Sequence, residues 1–305
     1  MTDAPLTRPL RTPTEAHLTV HELDHEVLTW DGGGPTTVLL VHGYLDSAWS
    51  WGYFADALEP LWPDAHVVAF SWRGHGRSDR VGAGGFYHFV DLVRDLNAVA
   101  NAVRRERLVL VAHSMGGGVA LMWLGACAGI AERAVLIEAG GPKPSGPEDL
   151  VDRVGEWISQ TTPFSPERFE RPMESVEHAA RRVRRLDPLL TPEQALYLAE
   201  KGTVLGPDGA LRWRYDPLNR ARSPTALLPG VMTAFARRVD VPVHWVDGAA
   251  STLLPLRDDA VLAALRDLRH TLLPDAGHMV QHHQPQALAQ LVSEFARSPS
   301  KPENT

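Results

Sequence analysis

Short apolar runs alternate with amphipathic stretches along most of this 305-residue chain. Apolar runs bounded by turn residues are typical of buried β-strands, whereas apolar positions three to four residues apart are typical of helices. Helical segments such as FVDLVRDLNAVANAVRRE (89–106) and QPQALAQLVSEFAR (284–297) separate most of the apolar runs. We therefore predict an α/β fold with a mostly parallel sheet and helices on both faces. The runs that predict buried strands are TTVLLVHG (36–43), HVVAFSW (66–72), RLVLVAHS (107–114), RAVLIEAG (133–140), VPVHWVDG (241–248) and a weaker HTLLPDAG (270–277).

Two stretches depart from this alternation. Residues 17–32, HLTVHELDHEVLTWDG, alternate apolar and polar positions around a polar Asp-His-Glu turn, which predicts an antiparallel hairpin at the sheet edge. Residues 146–228 contain many prolines and arginines, three helix-like runs and little strand character. We expect this stretch to be a helical insertion that divides a core into residues 1–145 and 229–305. Residues 1–15 predict a flexible, proline-rich arm.

Composition narrows the class of protein. With 44% hydrophobic residues the chain can bury a substantial core, and its single cysteine, Cys127, excludes an intrachain disulfide. Cys127 lies in an apolar helical run, so we expect it to pack as a small buried hydrophobe. Because we find no apolar leader and no run of about 18 apolar residues, we expect a cytoplasmic protein without a membrane span. The net charge of −7 disfavours binding to nucleic acid.

Arginines concentrate in the segment HAARRVRRL, residues 178–186. Helical spacing there leaves Val183 and Leu186 to face inward, which favours a solvated arginine face over an anion-binding site. The arginines concerned are Arg181, Arg182, Arg184 and Arg185.

The segment VAHSMGGG (111–118) connects a predicted strand directly to a predicted helix through Ser114. Small residues, Ala112 and Gly116, stand two positions before and after the serine, as a tight and strained turn requires. Such a turn holds a serine hydroxyl out of the sheet as a nucleophile. The N–H of Met115, at the start of the helix, would then stabilise an oxyanion on the attacked carbonyl. The simpler interpretation is a glycine-rich turn with a helix-capping serine.

Three further segments occur in an order that suits this turn. His42 and Gly43 end an upstream strand, so the N–H of Tyr44 is a second candidate for the oxyanion hole. The segment SWRGHGRSD (71–79) is a glycine-rich loop after the next strand. His278 follows the last predicted strand, late enough in the chain to act as the base in a serine, acid, histidine order.

With these segments the chain resembles the α/β-hydrolase superfamily over nearly all of residues 36–145 and 229–297. It looks most similar to the serine hydrolase-like group, which has a haloalkane-dehalogenase-like core with a serine nucleophile. The resemblance implies the α/β-hydrolase fold with an N-terminal antiparallel hairpin. It also implies that residues 146–228 form a helical cap over the site.

The sequence does not decide which residue is the catalytic acid. A histidine base needs a carboxylate on its other nitrogen, and most of the superfamily places that residue about three positions after the glycine that ends the seventh strand. Here Ser251 occupies that position, so the usual carboxylate is absent. Glu138 is our first candidate, because a charged residue that ends an apolar strand is costly to bury unpaired, and some superfamily members place their acid after this strand. Asp247 is the alternative, and a site without a working acid is the third.

Aromatic residues near the elbow or in the cap are candidates for an apolar acyl pocket, although each could instead serve core packing. His42 and His75 are expected to hold loop backbone. His282 and His283 have no carboxylate at ligand spacing, so we expect no metal and no cofactor. The candidate pocket residues are Trp49, Trp72, Trp123, Trp157 and Trp213.

A serine at the turn restricts the chemistry. Serine nucleophiles form acyl-enzymes, so their natural substrates are esters, thioesters, lactones or amides. We expect a carboxylic-ester-type serine hydrolase that acts on a small, largely apolar molecule, with Ser114, His278 and Glu138 as its triad. A catalytically weak small-molecule binder and cofactor-independent oxygen chemistry are the alternatives. The sequence leaves the substrate's identity and the oligomeric state open.

Overall fold

The computed structural model describes residues 8–140, 146–225 and 227–298. Its strands are β1 (Thr14–Val20), β2 (Leu23–Asp31), β3 (Thr36–Val41), β4 (His66–Phe70), β5 (Arg107–His113), β6 (Arg133–Ile137), β7 (Thr203–Leu205), β8 (Leu211–Trp213), β9 (Val243–Gly248) and β10 (Leu268–Leu273). Its helices are α1 (Gly52–Leu58), α2 (Phe89–Val103), α3 (Met115–Ala126), α4 (Pro147–Thr161), α5 (Val176–Leu186), α6 (Pro192–Gly202), α7 (Val231–Ala236), α8 (Asp259–Ala264), α9 (Val280–His283) and α10 (Pro285–Arg297).

Within the described residues, eight strands form one sheet in the order β1-β2-β4-β3-β5-β6-β9-β10. β2 is antiparallel to both of its neighbours, β1 and β4, and the other neighbouring strands are parallel. The predicted α/β fold, with its mostly parallel sheet and antiparallel N-terminal hairpin, is confirmed. Because β5 lies between β3 and β6, the segments that follow these three strands meet at one edge of the sheet.

The hairpin turn lies earlier than the sequence predicted. His21 and Glu22 form it, with φ angles of 53° and 64°, and a two-residue hairpin turn favours positive φ at both positions. The polar Asp-His-Glu sequence instead continues β2, and Glu26 within it is buried. Its carboxylate accepts hydrogen bonds from the Trp49 indole N–H at 2.9 Å and from the Ser71 hydroxyl at 2.7 Å. The sequence predicted a turn here because Glu26 is charged, but these hydrogen bonds allow its carboxylate to be buried within the strand.

Side chains of the central strands alternate between two apolar layers. Leu39 and Val41 of β3 face the side that α2, α3, α7 and α8 cover. Val38 and Leu40 face the opposite side, which α1 and α10 cover. Both faces are therefore buried, which explains why the strands are continuous apolar runs. Cys127 is half-buried against the first layer. In the described part of the chain, no helix has the length and apolar character needed to cross a bilayer.

The stretch between β6 and β9 contains the three predicted helices, α4, α5 and α6. It also contains a short antiparallel pair, β7 with β8, which the sequence did not predict. Val183 of α5 packs against a small cluster in this stretch, but Leu186 is 88% exposed and does not face inward as expected. The predicted boundary at residue 145 falls in 141–145, outside the described residues.

Loops that follow β3 and β4 hold the end of this inserted stretch. The Asp216 N–H donates to the Gly74 carbonyl at 2.7 Å, and the Tyr87 hydroxyl donates to the Asp216 carboxylate at 2.7 Å. The Tyr44 hydroxyl donates to the Asn219 carbonyl at 2.9 Å. Gly74 has a φ of 69°, and a Cβ there would lie 2.4 Å from the Tyr87 ring, so this approach requires glycine.

The N-terminal arm is ordered for part of its length. Arg8 forms an ion pair with Glu200 at 2.6 Å, and the Arg11 N–H donates to the Asp56 carboxylate at 3.0 Å. The predicted flexible arm is therefore attached to the inserted stretch through Arg8 and to the core through Arg11. Residues 1–7 lie outside the described residues.

A buried ion pair connects the glycine-rich loop after β4 to α2. Arg73 donates to both carboxylate oxygens of Asp95, from Nε at 2.7 Å and from Nη2 at 2.6 Å. Asp95 is fully buried and Arg73 is 8% exposed. Asp91, on the same helix, lies 3.9 Å from Arg73 but is partly exposed.

We expect Asp95→Asn to lower the free energy of unfolding by about 3 to 5 kcal/mol, because it leaves the Arg73 guanidinium buried without its charge partner. Asp91→Asn is the matched control and should cost less than about 1 kcal/mol, since its partner contact is solvent-screened. Urea unfolding measures both changes. Equal losses for the two variants would show that the buried pair is not the structural link described here.

Candidate active site

Ser114 lies in a strained turn between β5 and α3. Its φ of 53° and ψ of −121° are outside the regions that non-glycine residues usually adopt. A Cβ on Gly116 would lie 2.5 Å from the His42 carbonyl oxygen. A Cβ on Gly117 would lie 2.5 Å from the Cβ of Ala139. The glycines thus allow α3 to begin directly against neighbouring strand ends, and the serine is held at the edge of the sheet.

The structure brings Ser114, His278 and Glu138 together. His278 Nε2 lies 2.9 Å from the Ser114 Oγ, and His278 Nδ1 lies 3.1 Å from a carboxylate oxygen of Glu138. Since the carboxylate can only accept, the assignment that satisfies both contacts has Nδ1–H donating to Glu138 and Nε2 accepting from the serine hydroxyl. This is the arrangement in which a histidine can take a proton from a serine.

Glu138 accepts hydrogen bonds from two donors at the end of β9 and in the loop that follows it. It is 8% exposed, and its φ of 47° turns the chain sharply after β6. One carboxylate oxygen accepts the Gly248 N–H at 2.7 Å, and the other accepts the Ser251 hydroxyl at 2.6 Å. In the sequence, Ser251 stands out only as the residue at the position of the usual acid. In the structure this serine donates to the carboxylate that lies beside His278.

The alternative acid, Asp247, does not reach His278. Its carboxylate accepts the Trp245 indole N–H at 2.9 Å and an Arg257 guanidinium N–H at 2.7 Å. His270 of the edge strand β10 lies 2.9 Å from the same carboxylate. Side chains two residues apart in a strand share a face, so Asp247 lies with Trp245 and its partners at the β10 side.

Three buried histidines surround the site and hold loop backbone. His42 Nε2 accepts the Trp72 N–H at 3.0 Å, and His75 Nε2 accepts the Leu45 N–H at 3.3 Å. His113, which the sequence analysis did not single out, lies with Nε2 2.8 Å from the His278 carbonyl oxygen. Burial lowers the pKa of His75 to about 4. It holds the pKa values of the other two well below the usual range.

The backbone that carries the two candidate oxyanion donors lies close to Ser114. Met115 is the first residue of α3, so its N–H has no partner within the helix. Gly43 packs so closely that a Cβ there would lie 3.1 Å from the Ser114 Cβ. This contact brings the backbone that leads into Tyr44 next to the serine. The segment between Gly43 and Met115 is thus the place where a carbonyl oxygen could meet two N–H groups.

A cavity of about 1030 Å³ opens beside His278, between the core and the inserted stretch. Trp49 and Trp213 line it, as expected for the pocket. The Trp49 ring lies 3.6 Å beneath the Lys201 ammonium, while its indole N–H is bound to Glu26. Burial raises the pKa of Asp46, another lining residue, to about 6.

Three of the other expected pocket residues lie elsewhere. Trp72 and Trp123 are fully buried in the core, so their assignment to the pocket is corrected. The Trp123 indole N–H donates to the Asn97 side chain at 3.1 Å. Trp157 lines a separate cavity of about 410 Å³ together with Phe86.

The sequence predicted that the arginine face of α5 is solvated, and the structure shows this for only part of that face. Arg181 is exposed, and Arg184 donates to the Leu190 carbonyl at 3.1 Å. Arg182 and Arg185 line the cavity, and so does Leu186, which explains the exposed surface of that leucine.

Comparisons with known proteins agree with this architecture. The sequence model of the alpha/beta hydrolase family matches residues 38–291. A serine hydrolase-like protein of Danio rerio is 31% identical over 176 residues, which are 56% of this chain and 52% of that protein. The match therefore spans about half the length of that relative. A putative 2-succinyl-6-hydroxy-2,4-cyclohexadiene-1-carboxylate synthase of Bacillus subtilis is 26% identical over 266 residues, 86% of this chain and 90% of that protein.

Two solved structures resemble the whole fold. A hypothetical protein of Pseudomonas aeruginosa PAO1 superimposes with a TM-score of 0.79 at 27% identity, covering 93% of this chain and 99% of that one. A thioesterase domain from the curacin biosynthetic pathway superimposes with a TM-score of 0.81 at 24% identity, covering 92% and 99%. The second likeness concerns the fold alone.

The buried histidines predict a pH-dependent stability. Unfolded histidines take up protons below about pH 6.5, whereas burial keeps the pKa of His75 near 4 and that of His282 near 3. The unfolded state then binds more protons, so the free energy of unfolding should fall as the pH drops from 6.5 towards 4, by about 1.4 kcal/mol per pH unit for each such histidine. Asp46 has the opposite effect on the free energy of unfolding, because burial raises its pKa to about 6, but it is one group against two histidines.

Urea unfolding at several pH values between 4.5 and 7.5 checks this slope. His75→Gln removes one titrating group and should flatten the slope, whereas His21→Gln, in the exposed hairpin turn, should not. A stability that stays constant from pH 7 to pH 5 would contradict the neutral, buried state of these rings.

Proposed function

Because the chain belongs to the alpha/beta hydrolase family, we propose that it is a serine hydrolase that cleaves an ester or related acyl bond through an acyl-enzyme. One observation carries the proposal: the hydrogen-bonded chain from Glu138 through His278 to Ser114, with contacts of 3.1 and 2.9 Å, beside a large cavity. A capping serine would need neither of these partners.

In the first half of the reaction, the Ser114 Oγ attacks the carbonyl carbon and its proton passes to His278 Nε2. The resulting imidazolium keeps its Nδ1–H on Glu138, which stabilises the positive charge. The N–H groups of Tyr44 and Met115 bind the oxyanion. When the tetrahedral intermediate collapses, the leaving group takes the proton from Nε2, and the acyl group remains on the serine.

In the second half, water replaces the leaving group. His278 Nε2 accepts a proton from that water as the oxygen attacks the acyl carbon. The same two N–H groups bind the second oxyanion. Collapse then returns the proton to the Ser114 Oγ and releases the carboxylic acid.

The inserted stretch acts in this proposal as a cap, so that residues 146–228 cover a core made of residues 1–145 and 229–305. Support comes from the cavity, whose lining includes Trp49 of the core and Trp213 of the insertion. A covered cavity excludes bulk water and strengthens the electrostatic contacts inside it. Its apolar surface, which includes Leu190 and Met279, suits an apolar acyl portion.

The absence of an acid at position 251 was the reason to consider a catalytically weak binder. Ser251 instead donates to the Glu138 carboxylate at 2.6 Å. That carboxylate follows β6 and lies 3.1 Å from His278, so a carboxylate after a different strand is available as the acid. The hydrolase proposal is therefore the better supported of the two.

Ser114→Ala should abolish ester hydrolysis and covalent labelling by a fluorophosphonate probe, because no other group can form the acyl-enzyme. The expected loss in kcat is on the order of 10⁴-fold or more. Hydrolysis of 4-nitrophenyl butyrate and gel-based probe labelling measure the two effects, and circular dichroism checks that the variant is folded. If more than a few per cent of the hydrolysis survived in the folded variant, the acyl-enzyme mechanism would be wrong.

Glu138→Gln should lower kcat by roughly 10² to 10⁴-fold, since the amide keeps the shape but cannot stabilise the imidazolium charge. Asp247→Asn is the matched control: it removes a second buried carboxylate after a neighbouring strand, one that contacts Arg257 and not His278, and its effect should be within a few-fold. Steady-state kinetics at neutral pH compare the two variants. A larger loss from Asp247→Asn would overturn the assignment of the acid.

A further inference from the structure

The cavity beside His278 is rich in cations although the whole chain carries a net charge of −7. Seven of its lining residues are arginine or lysine, whereas three are aspartate or glutamate. These cations come mostly from the inserted stretch, among them Arg182, Arg185, Lys201 and Arg214. An excess of one sign of charge in a partly enclosed space concentrates the field there and attracts the opposite charge.

Even with all three acidic residues of the lining ionised, its cations outnumber its carboxylates by seven to three. Burial raises the pKa of Asp46 to about 6, and it also raises the pKa of Glu170. Asp187 lies 2.9 Å from the His283 ring and is occupied there. The cavity therefore keeps a positive potential at neutral pH.

Arg214 differs from the other cations of the lining in one nitrogen of its guanidinium group. Its side chain is half-buried, and its Nε is buried without a hydrogen bond. Within the residues that the structure describes, none of the seven lining cations takes part in an ion pair. Arg212, two residues earlier, instead donates from both terminal nitrogens to the Asp208 carboxylate at 2.6 Å. Burial lowers the pKa of Arg214, because it disfavours the charged form of the guanidinium.

A buried nitrogen without a hydrogen bond costs stability, and the planar fork of a guanidinium matches a carboxylate or a phosphate. The apolar lining of the same cavity includes Phe169, Leu189 and Leu190. A ligand that satisfies both kinds of surface is an amphiphilic anion. The volume of about 1030 Å³ also exceeds what a short neutral ester fills.

We propose that the acyl substrate of this site carries an anionic group, a carboxylate or a phosphate, which Arg214 binds with help from the neighbouring cations of the cavity. This inference rests on the proposed function, and it names the substrate class of that site. The anionic group is separate from the reacting carbonyl, which must reach Ser114 beside His278. It does not take part in the bond that breaks.

Three matched thioesters test the proposal: butyryl-N-acetylcysteamine, which is neutral, glutaryl-N-acetylcysteamine, with a carboxylate on the acyl part, and butyryl-coenzyme A, with phosphates on the leaving group. We expect at least one charged thioester to exceed the neutral one in kcat/KM by about tenfold or more, as one charge-assisted hydrogen-bonded contact allows. The charged thioester that gains the preference identifies the source of the anion. The preference should shrink between 0.05 and 0.5 M NaCl.

Arg214→Gln should lower the ratio of charged to neutral kcat/KM by about ten- to a hundredfold, and Arg214→Lys should restore part of it. Arg212→Gln is the matched control, two residues earlier in the chain and outside the cavity lining, and should leave the ratio unchanged. Equal kcat/KM for all three thioesters, or a ratio that Arg214→Gln does not alter, would overturn the inference. The proposed function would survive that result, provided that the fluorophosphonate probe labels Ser114.

If the probe does not label the protein, the proposed function fails and the inference is tested by binding alone. Isothermal titration of the Ser114→Ala protein with glutarate and with free coenzyme A then decides. Binding of either compound that Arg214→Gln removes and Arg212→Gln retains supports an anion site. Absence of binding by both compounds would overturn it.

Discussion

The site depends on the hydrogen bonds that the buried carboxylate of Glu138 accepts. A buried charge is tolerated only when hydrogen bonds replace the water it has lost. Here the donors come from the backbone after β9, from Ser251 and from the ring of His278. Moving any of these segments would leave part of the charge unsatisfied. One side chain therefore sets how the ends of β6 and β9 and the loop of His278 lie relative to one another.

Burial also separates the histidines by role. His42 and His113 are almost completely buried, their pKa values lie well below the usual range, and they serve as neutral hydrogen-bonding groups for loops and for the His278 backbone. The side chain of His278 is 26% exposed and faces a carboxylate. Two of these rings are thus neutral groups that hold backbone, whereas the His278 ring lies between a carboxylate and a serine hydroxyl. Through its contact with the His278 carbonyl, His113 helps to hold that ring beside Ser114.

The core and the inserted stretch contribute different properties to the same cavity. The core supplies the serine, the histidine and the carboxylate from strand ends, where parallel strands bring distant segments together. The inserted stretch supplies most of the cationic surface and is attached through Asp216 and Asn219 to the loops after β4 and β3. Its charge is set by helix faces and a short hairpin, and it can vary without disturbing the sheet.

The sequence by itself determined the eight strands of the main sheet, the main helices and the positions of Ser114 and His278, because these depend on local patterns: apolar runs, and small residues around a tight turn. It also favoured Glu138 over Asp247, but both end apolar strands, and only the folded sheet shows that Asp247 lies with Trp245 towards β10. The same limit applies to Trp72, which a loop position suggested for the pocket and tertiary packing placed in the core. Whether an arginine faces solvent or a cavity likewise depends on what lies opposite it, and that is a contact between segments far apart in the chain, which no local pattern contains.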